Sequence, residues 1–180
     1  KLILYYPMKI ETDHKLDFKN VLIRPKRTTL NSRSEVNLKR IFKFPHSKKQ
    51  WEGIPIVAAN MDTTGTFPVY DVLSSVSTLT CLNKFIPLEE FRKRNADPNF
   101  FMVSTGISNS DFENLKKTMS TVDCNWICID IANGYISSFV DFCIKVRNTF
   151  PDKIIVAGNV ATREMVEELI VRGKVDIVKV

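Results

Sequence analysis

Ile54-Pro55-Ile56-Val57-Ala58-Ala59-Asn60-Met61-Asp62-Thr63 is the stretch that decides the fold of this chain. A continuous apolar run that breaks abruptly into polar residues fits a parallel strand covered on both faces, not the in–out alternation of a half-exposed strand. The pattern recurs outward from there. Leu79-Thr80-Cys81-Leu82, Phe101-Met102-Val103-Ser104, Trp126-Ile127-Cys128-Ile129, Ile154-Ile155-Val156-Ala157 and Asp176-Ile177-Val178-Lys179-Val180 read the same way. Strand ends fall at Asn60, Asn83, Gly106, Asp130, Asn159 and Lys179, roughly 20–30 residues apart, which is one strand–loop–helix unit each.

The intervals carry helical patterns. A helix is expected over 67–76, and a second is led by Pro87. The third opens at Ser110-Asp111-Phe112-Glu113, which has the form of a capping box. The fourth carries the stripe Phe139, Phe142, Cys143, Val146 and Phe150, which reads as core packing and not as a cofactor box. The fifth is capped by Thr162, turns Met165, Val166, Leu169 and Ile170 inward, and ends at Gly173. The expected fold class is α/β, a (β/α)8 TIM barrel, incomplete in this chain at about six units. Parallel strands followed by helices put every post-strand loop on one rim, where such barrels carry their chemistry.

Residues 15–53 break the rhythm. Val21-Leu22-Ile23, Val36-Asn37-Leu38 and Ile41-Phe42-Lys43-Phe44-Pro45 read as short strands covering one end of a barrel or meeting another subunit. The expected organisation is therefore a β-rich extension and cover over 1–53 and the first six barrel units over 54–180. Lys1 to Pro7 is too short for a secretory signal, and Met8 reads as a native start. A barrel stopped after six strands has unpaired edges, so the isolated chain is expected to be unstable or obligately associated.

Composition narrows the function classes. With 180 residues and 44% hydrophobic content the chain can bury a core, and no apolar run approaches the ~20 residues of a membrane span. The net charge of +6 is concentrated between Lys26 and Lys49, which suits either phosphate binding or a solvated surface. No aromatic–basic interleaving accompanies it, so nucleic acid is not an expected partner. Cys81, Cys124, Cys128 and Cys143 form no CxxC pair, and only His14 and His46 are available to assist a metal. Reduced thiols in a cytoplasmic protein, with no metal site and no cysteine nucleophile among the four, are the expectation.

In such a fold the polar residues at the strand ends converge on the rim: Asn60 and Asp62, Asn83 and Lys84, Ser104 and Thr105, Asp130 and Asn133, and Asn159. Local roles compete. Asn60 and Asp62 can cap the helix that follows, and Lys84 can be a solvated loop charge. Asp130 is the sharpest candidate, because a carboxylate directly after an apolar strand is poorly placed to find water.

Three strings carry a resemblance: Asn60-Met61-Asp62-Thr63-Thr64-Gly65-Thr66-Phe67, Asp130-Ile131-Ala132-Asn133-Gly134-Tyr135 and Ala157-Gly158-Asn159-Val160. Together they resemble the IMP dehydrogenase/GMP reductase family. The stretch from Leu16 to Arg27, with Ser32-Arg33-Ser34-Glu35-Val36 after it, is similar to the reductase branch, as are Ile131-Ala132-Asn133 where dehydrogenases more often carry serines, and a barrel uninterrupted after the second repeat. The match runs in order from about Lys9 to Val180.

The resemblance implies the front three-quarters of an enzyme performing NADPH-dependent reductive deamination of GMP to IMP and ammonia, in purine nucleotide salvage. In that family a loop cysteine attacks C2 of the purine and expels ammonia, and hydride from the nicotinamide then reaches C2. That loop follows the sixth strand, so no catalytic residue is assigned within this chain, and the monovalent-cation (K+) site of the full-length enzyme is expected outside it. The implied cofactor contacts are Lys84, Asp130, Ile131 and Ala132, with Ser32 and Arg33 reaching the cofactor of a neighbouring subunit. Met61 and Asn159 fall on the substrate side, toward GMP or IMP. A homotetramer is the implied assembly. One departure stands out: related reductases often have His on either side of the lysine, where this chain has Asn83 and Phe85. An NAD-dependent dehydrogenase relative, or a non-catalytic barrel acting as an oligomerisation partner, are the alternative readings.

Overall fold

The computed structural model describes residue 10 and residues 12–180; the opening heptapeptide, Met8 and Lys9 lie outside the described residues. The chain divides into two compact units, Lys1–Val36 and Asn37–Val180. In the first, two single-turn 3-10 helices form, Phe18–Asn20 and Arg33–Glu35. The expected strand at 21–23 does not form. Asp17 and Asn20 make a reciprocal capping box, and the Val21 amide is already spent on the Phe18 carbonyl at 3.3 Å. Residues 36–38 are likewise irregular. Three apolar residues cannot make a strand without a partner backbone to pair with.

The second unit holds one seven-stranded sheet in sequential order. Strands β1 (Arg40–Lys43) and β2 (Gln50–Ala58) form an antiparallel hairpin in which Phe42 faces Trp51. After Gly53 the same β2 leaves the hairpin and pairs in parallel with β3 (Thr78–Leu82), with a register shift between Ile54 and Val57. Then follow β4 (Phe101–Thr105), β5 (Trp126–Asp130), β6 (Ile154–Gly158) and the short β7 (Ile177–Val178), all parallel. Helices α1 (Phe67–Ser75), α2 (Leu88–Arg92), α3 (Asn109–Met119), α4 (Ser137–Thr149) and α5 (Arg163–Val171) connect them. Six parallel strands at the expected places, curled into half of a barrel, give the predicted α/β fold.

The pleat sorts side chains between two faces. On β5, Ile127 and Ile129 are fully buried, as is Phe139 of α4; Leu82 of β3, Ile155 of β6 and Leu169 of α5 complete that helix-side core. On the other face, Leu79, Cys81, Met102, Trp126, Cys128 and Val156 line a concave cavity of about 620 Å³. The β1–β2 hairpin covers the end of this face where the strands begin. Trp51 and Trp126 stand edge-to-face at 5.7 Å, and both indoles donate to the Asn99 carbonyl, at 2.9 and 3.1 Å. A tryptophan N–H buried at a strand start needs such a partner.

Four local expectations are corrected. The capping box of α3 is Ser108 with Asp111, not the one beginning at Ser110: Ser108 Oγ accepts from the Asp111 amide and the Asp111 carboxylate from the Ser108 amide, both at 3.0 Å. Thr162 occupies the N-cap of α5 but makes no side-chain cap, because its hydroxyl accepts from the Tyr135 phenol at 3.1 Å. The left-handed residue after α5 is Lys174 (φ 53°), not Gly173. Ile170 is 41% exposed, so the inner face of α5 rests on Leu169, with Met165 and Val166 partly buried against the core.

Candidate functional site

Asp130 ends β5, two residues beyond Cys128, so the pleat turns it to the concave face. The same alternation places Lys179 there, two residues beyond Ile177. The two meet: Lys179 Nζ donates to Asp130 Oδ1 in a short ion pair. From the opposite side Asn60 Nδ2 donates to Asp130 Oδ2 at 2.8 Å. Burial alone would raise the Asp130 pKa, but the Lys179 ammonium and the Asn60 amide outweigh it and hold the carboxyl below the ordinary carboxylate range. Burial likewise opposes the charge on Lys179, yet the bond to Asp130 raises its pKa above the usual lysine value. Asn60 is therefore an Asp130 ligand and not a helix cap. The N-cap of α1 is Thr66.

The Asp130 loop is laced to the next one. The Ile131 amide donates to the Gly158 carbonyl, the Asn159 amide to the Ile131 carbonyl and the Gly134 amide to the Asn159 carbonyl, each at 2.9 Å. This lacing requires a glycine at 134, where a Cβ would lie 2.5 Å from Val160 and 2.6 Å from the Asn159 oxygen. Ile131 is partly buried against the core, whereas Ala132 and the Asn159 side chain face solvent. Asn133 folds back to accept from the Tyr135 amide at 3.0 Å. The rim thus offers Ala132 and Asn159 on a rigid platform beside the Asp130 carboxylate.

A second cluster forms after β2 and β3. Asn83 donates to Asp62 at 2.5 Å and accepts from the Phe85 amide at 2.9 Å, so Asp62 is not a helix cap either. The loop closes through the Gly65 amide on the Met61 carbonyl (2.7 Å) and the Asn83 amide on the Gly65 carbonyl (2.9 Å), leaving the Met61 side chain 62% exposed. Lys84 lies 3.6 Å from Asp111 and 5.1 Å from the centre of the Phe85 ring. Asp111 feels burial first, which would raise it, but the Ser108 bonds and Lys84 hold it below the usual range. Ser104 and Thr105 turn inward: each hydroxyl donates to a backbone carbonyl, of Leu82 and Gly106 respectively.

The structure does not gather all nine expected rim residues into one site. It makes one cluster of Asn60, Asp130 and Lys179, and another of Asp62, Asn83, Lys84 and Asp111. Ser32 and Arg33 belong to the other compact unit, where Ser32 Oγ accepts from the Ser34 amide at 3.2 Å and caps the turn that holds Arg33. Sequence reasoning missed Lys179 and Asp111 as partners. The signal for Lys179 was the strand alternation that puts it on the same face as Ile177.

All four thiols are free and buried. Burial pushes Cys124 and Cys143 up to about 12. Cys81 is raised by its hydrogen bond with Cys128 and by burial. Among the described residues, no group of three or more His, Cys, Asp or Glu is placed to hold a metal, and no helix is long and apolar enough to cross a membrane.

Comparison with known proteins joins these observations to a family. The model of the IMP dehydrogenase/GMP reductase domain matches residues 15–180. A GMP reductase from Buchnera aphidicola subsp. Schizaphis graminum is 52% identical over 179 residues, covering 96% of this chain and 51% of that protein. A GMP reductase from Yersinia pestis is 53% identical with the same coverage. The chain spans about half the length of these relatives, not three-quarters: the rest of them is longer than two more strand–helix units require. In fold it is similar to inosine 5′-monophosphate dehydrogenase from Legionella pneumophila, with TM-score 0.77 over 92% of this chain and 50% of that one, at 22% identity. With the parallel half-barrel and its polar strand-end rim in place, the family match over residues 15–180 means that this chain belongs to the IMP dehydrogenase/GMP reductase family.

Proposed function

We propose that this chain is part of a GMP reductase, which converts GMP to IMP and ammonia with NADPH as reductant, in purine nucleotide salvage. The observation that carries the reading is Asp130: a carboxylate held ionised at the strand-end rim, in a chain about half identical to proteins named GMP reductase. The residues present fit a dinucleotide. Each Asp130 oxygen carries one donor and keeps acceptor capacity for a ribose hydroxyl. Lys84 has three N–H donors and one carboxylate neighbour, so its ammonium can still reach a phosphate or ribose oxygen.

In this reading Asp130 orients the nicotinamide ribose, and Ile131 and Ala132 form the surface against which the ring lies. Lys84 steadies the dinucleotide. Met61 and Asn159 flank the purine, and Ser32 with Arg33 reaches the cofactor of a neighbouring subunit. The nicotinamide, when bound, supplies the hydride that replaces the amino group at C2. A homotetramer in the cytoplasm, a monovalent cation held by residues other than those named here, and division of the chain into a cover over 1–53 and barrel units over 54–180 belong to the same proposal.

The test is NADPH oxidation by the full-length protein with GMP, with IMP and ammonia measured as products. Turnover with GMP and none with IMP plus NAD supports the reading. Oxidation of IMP with NAD in place of GMP reduction would move the protein to the dehydrogenase branch. No turnover of either would leave it a non-catalytic barrel.

A further inference from the structure

We propose that Lys179 is a positioning residue of this site, whose ammonium holds the Asp130 carboxylate in a single orientation so that its free acceptor positions meet the ribose of a bound dinucleotide. The ligand named here rests on the reductase reading; the hold of Lys179 on Asp130 does not.

Three features of the molecule carry the inference. Asp130 takes its two donors from opposite directions, Asn60 after β2 and Lys179 after β7, and each donor occupies a different carboxylate oxygen. Such a carboxylate cannot rotate without breaking one bond, and its unused lone pairs point where the two donors do not. Lys179 is itself fixed by its backbone: its amide donates to the Ala157 carbonyl at 2.8 Å, and its carbonyl accepts from the Val160 amide at 3.1 Å. Gly158 permits that approach, since a Cβ there would lie 2.5 Å from both the Cβ and the carbonyl oxygen of Lys179.

The other neighbours of Lys179 on the concave face are thiols. The Cys81 and Cys128 thiols lie near it on the concave face, and their mutual hydrogen bond, with burial, raises the Cys81 pKa. Among the described residues, Asp130 is the carboxylate paired with Lys179. The charged groups that face Asp130 are Lys179 from β7 and, at longer range, Lys84 from the loop after β3. Without Lys179 the carboxyl would keep its burial and lose its nearest cation. Its titration would rise, and the carboxylate, held by Asn60 alone, could turn about that one bond.

The experiment uses the full-length protein with Lys179→Met and Lys179→Arg. NADP+ and GMP dissociation constants are measured separately by fluorescence, and the Asp130 carboxyl is titrated by NMR on 13C-aspartate-labelled protein, assigned through Asp130→Asn. Lys179→Met should weaken NADP+ by about ten-fold or more, leave GMP within about three-fold, and move the Asp130 titration upward, while Lys179→Arg keeps most of the binding. An unmoved Asp130 titration, an NADP+ affinity within about two-fold of the parent, or proportionate loss of both ligands would overturn the proposal. If the parent protein binds GMP but no NADP+, the reductase reading and the named ligand fall together, and the carboxyl titration still decides whether Lys179 governs Asp130.

Discussion

Replacing Arg147 by Met should be strongly destabilising. Arg147 of α4 is buried and pairs at 2.6 Å with Asp176, whose side chain has no exposed surface. The guanidinium also donates to the carbonyls of Lys174 (3.0 Å), Pro151 (3.1 Å) and Lys153 (2.7 Å). Asp176 in turn accepts from the Ile155 amide at 3.0 Å and the Ser47 amide at 3.2 Å. One ion pair therefore ties α4, the starts of β6 and β7 and the β1–β2 turn at the end opposite the candidate site. Methionine keeps the packing of the stem but leaves a buried carboxylate without its cation and three carbonyls without a donor. Breaking a buried pair in this way costs about 3–5 kcal/mol, against a whole-domain stability of about 5–15 kcal/mol. The exposed pair of Arg163 and Glu167 makes the control: Arg163→Met should cost no more than about 0.5 kcal/mol. Urea unfolding of the full-length protein near neutral pH, followed by the fluorescence of Trp51 and Trp126, reads both. Replacing both partners, Arg147→Met with Asp176→Asn, should recover part of the loss, because the uncompensated charge is gone while an amide oxygen still accepts from the Ile155 amide. A cost for Arg147→Met within about 1 kcal/mol of the parent, or no recovery in the double variant, would refute this account.

Lys84→Ala should weaken NADPH by about ten-fold or more while costing under about 1 kcal/mol of stability, since its bond to Asp111 is half-exposed and Asp111 keeps its Ser108 donors; equal losses of NADPH and GMP would remove the assigned role. Arg33→Ala should narrow the preference for NADPH over NADH, since a guanidinium fork suits a 2′-phosphate, and an unchanged ratio of the two kcat/KM values counts against that contact. Asp111 is held below its ordinary pKa, so it contributes stability above its unfolded value, about 4, and loses that contribution as pH falls through the lower folded value. The stability gap between the parent and Asp111→Asn should therefore shrink on acidification, and a gap constant with pH would show that Asp111 does not carry it.

Much of the fold was legible because a strand buried on both faces must be apolar throughout. All six strand segments were found, with ends correct to within a few residues. Local details were decided by competition between equivalent signals. Ser108-Asn109-Ser110-Asp111 and Ser110-Asp111-Phe112-Glu113 both have the capping-box spacing, and the chain leaving β4 at Gly106 starts the helix early enough for the first to win. Thr162 has the chemistry of a cap, but Tyr135 on the preceding loop claims its hydroxyl. The short apolar triplets near the N-terminus lacked any pairing partner that sequence could reveal.

What the sequence by itself determined is the order and ends of the parallel strands, hence which polar residues stand on the rim, and the family through motifs at three of those ends. It named Asp130 as the sharpest residue because a carboxylate after an apolar strand needs a reason to be there. Only the tertiary structure decided what that reason is. Asp130 draws one donor from 70 positions earlier and another from 49 positions later, and no local pattern encodes either pairing. Both arise because the sheet curls, so that inward-facing residues on non-neighbouring strands reach hydrogen-bonding distance across the concave face.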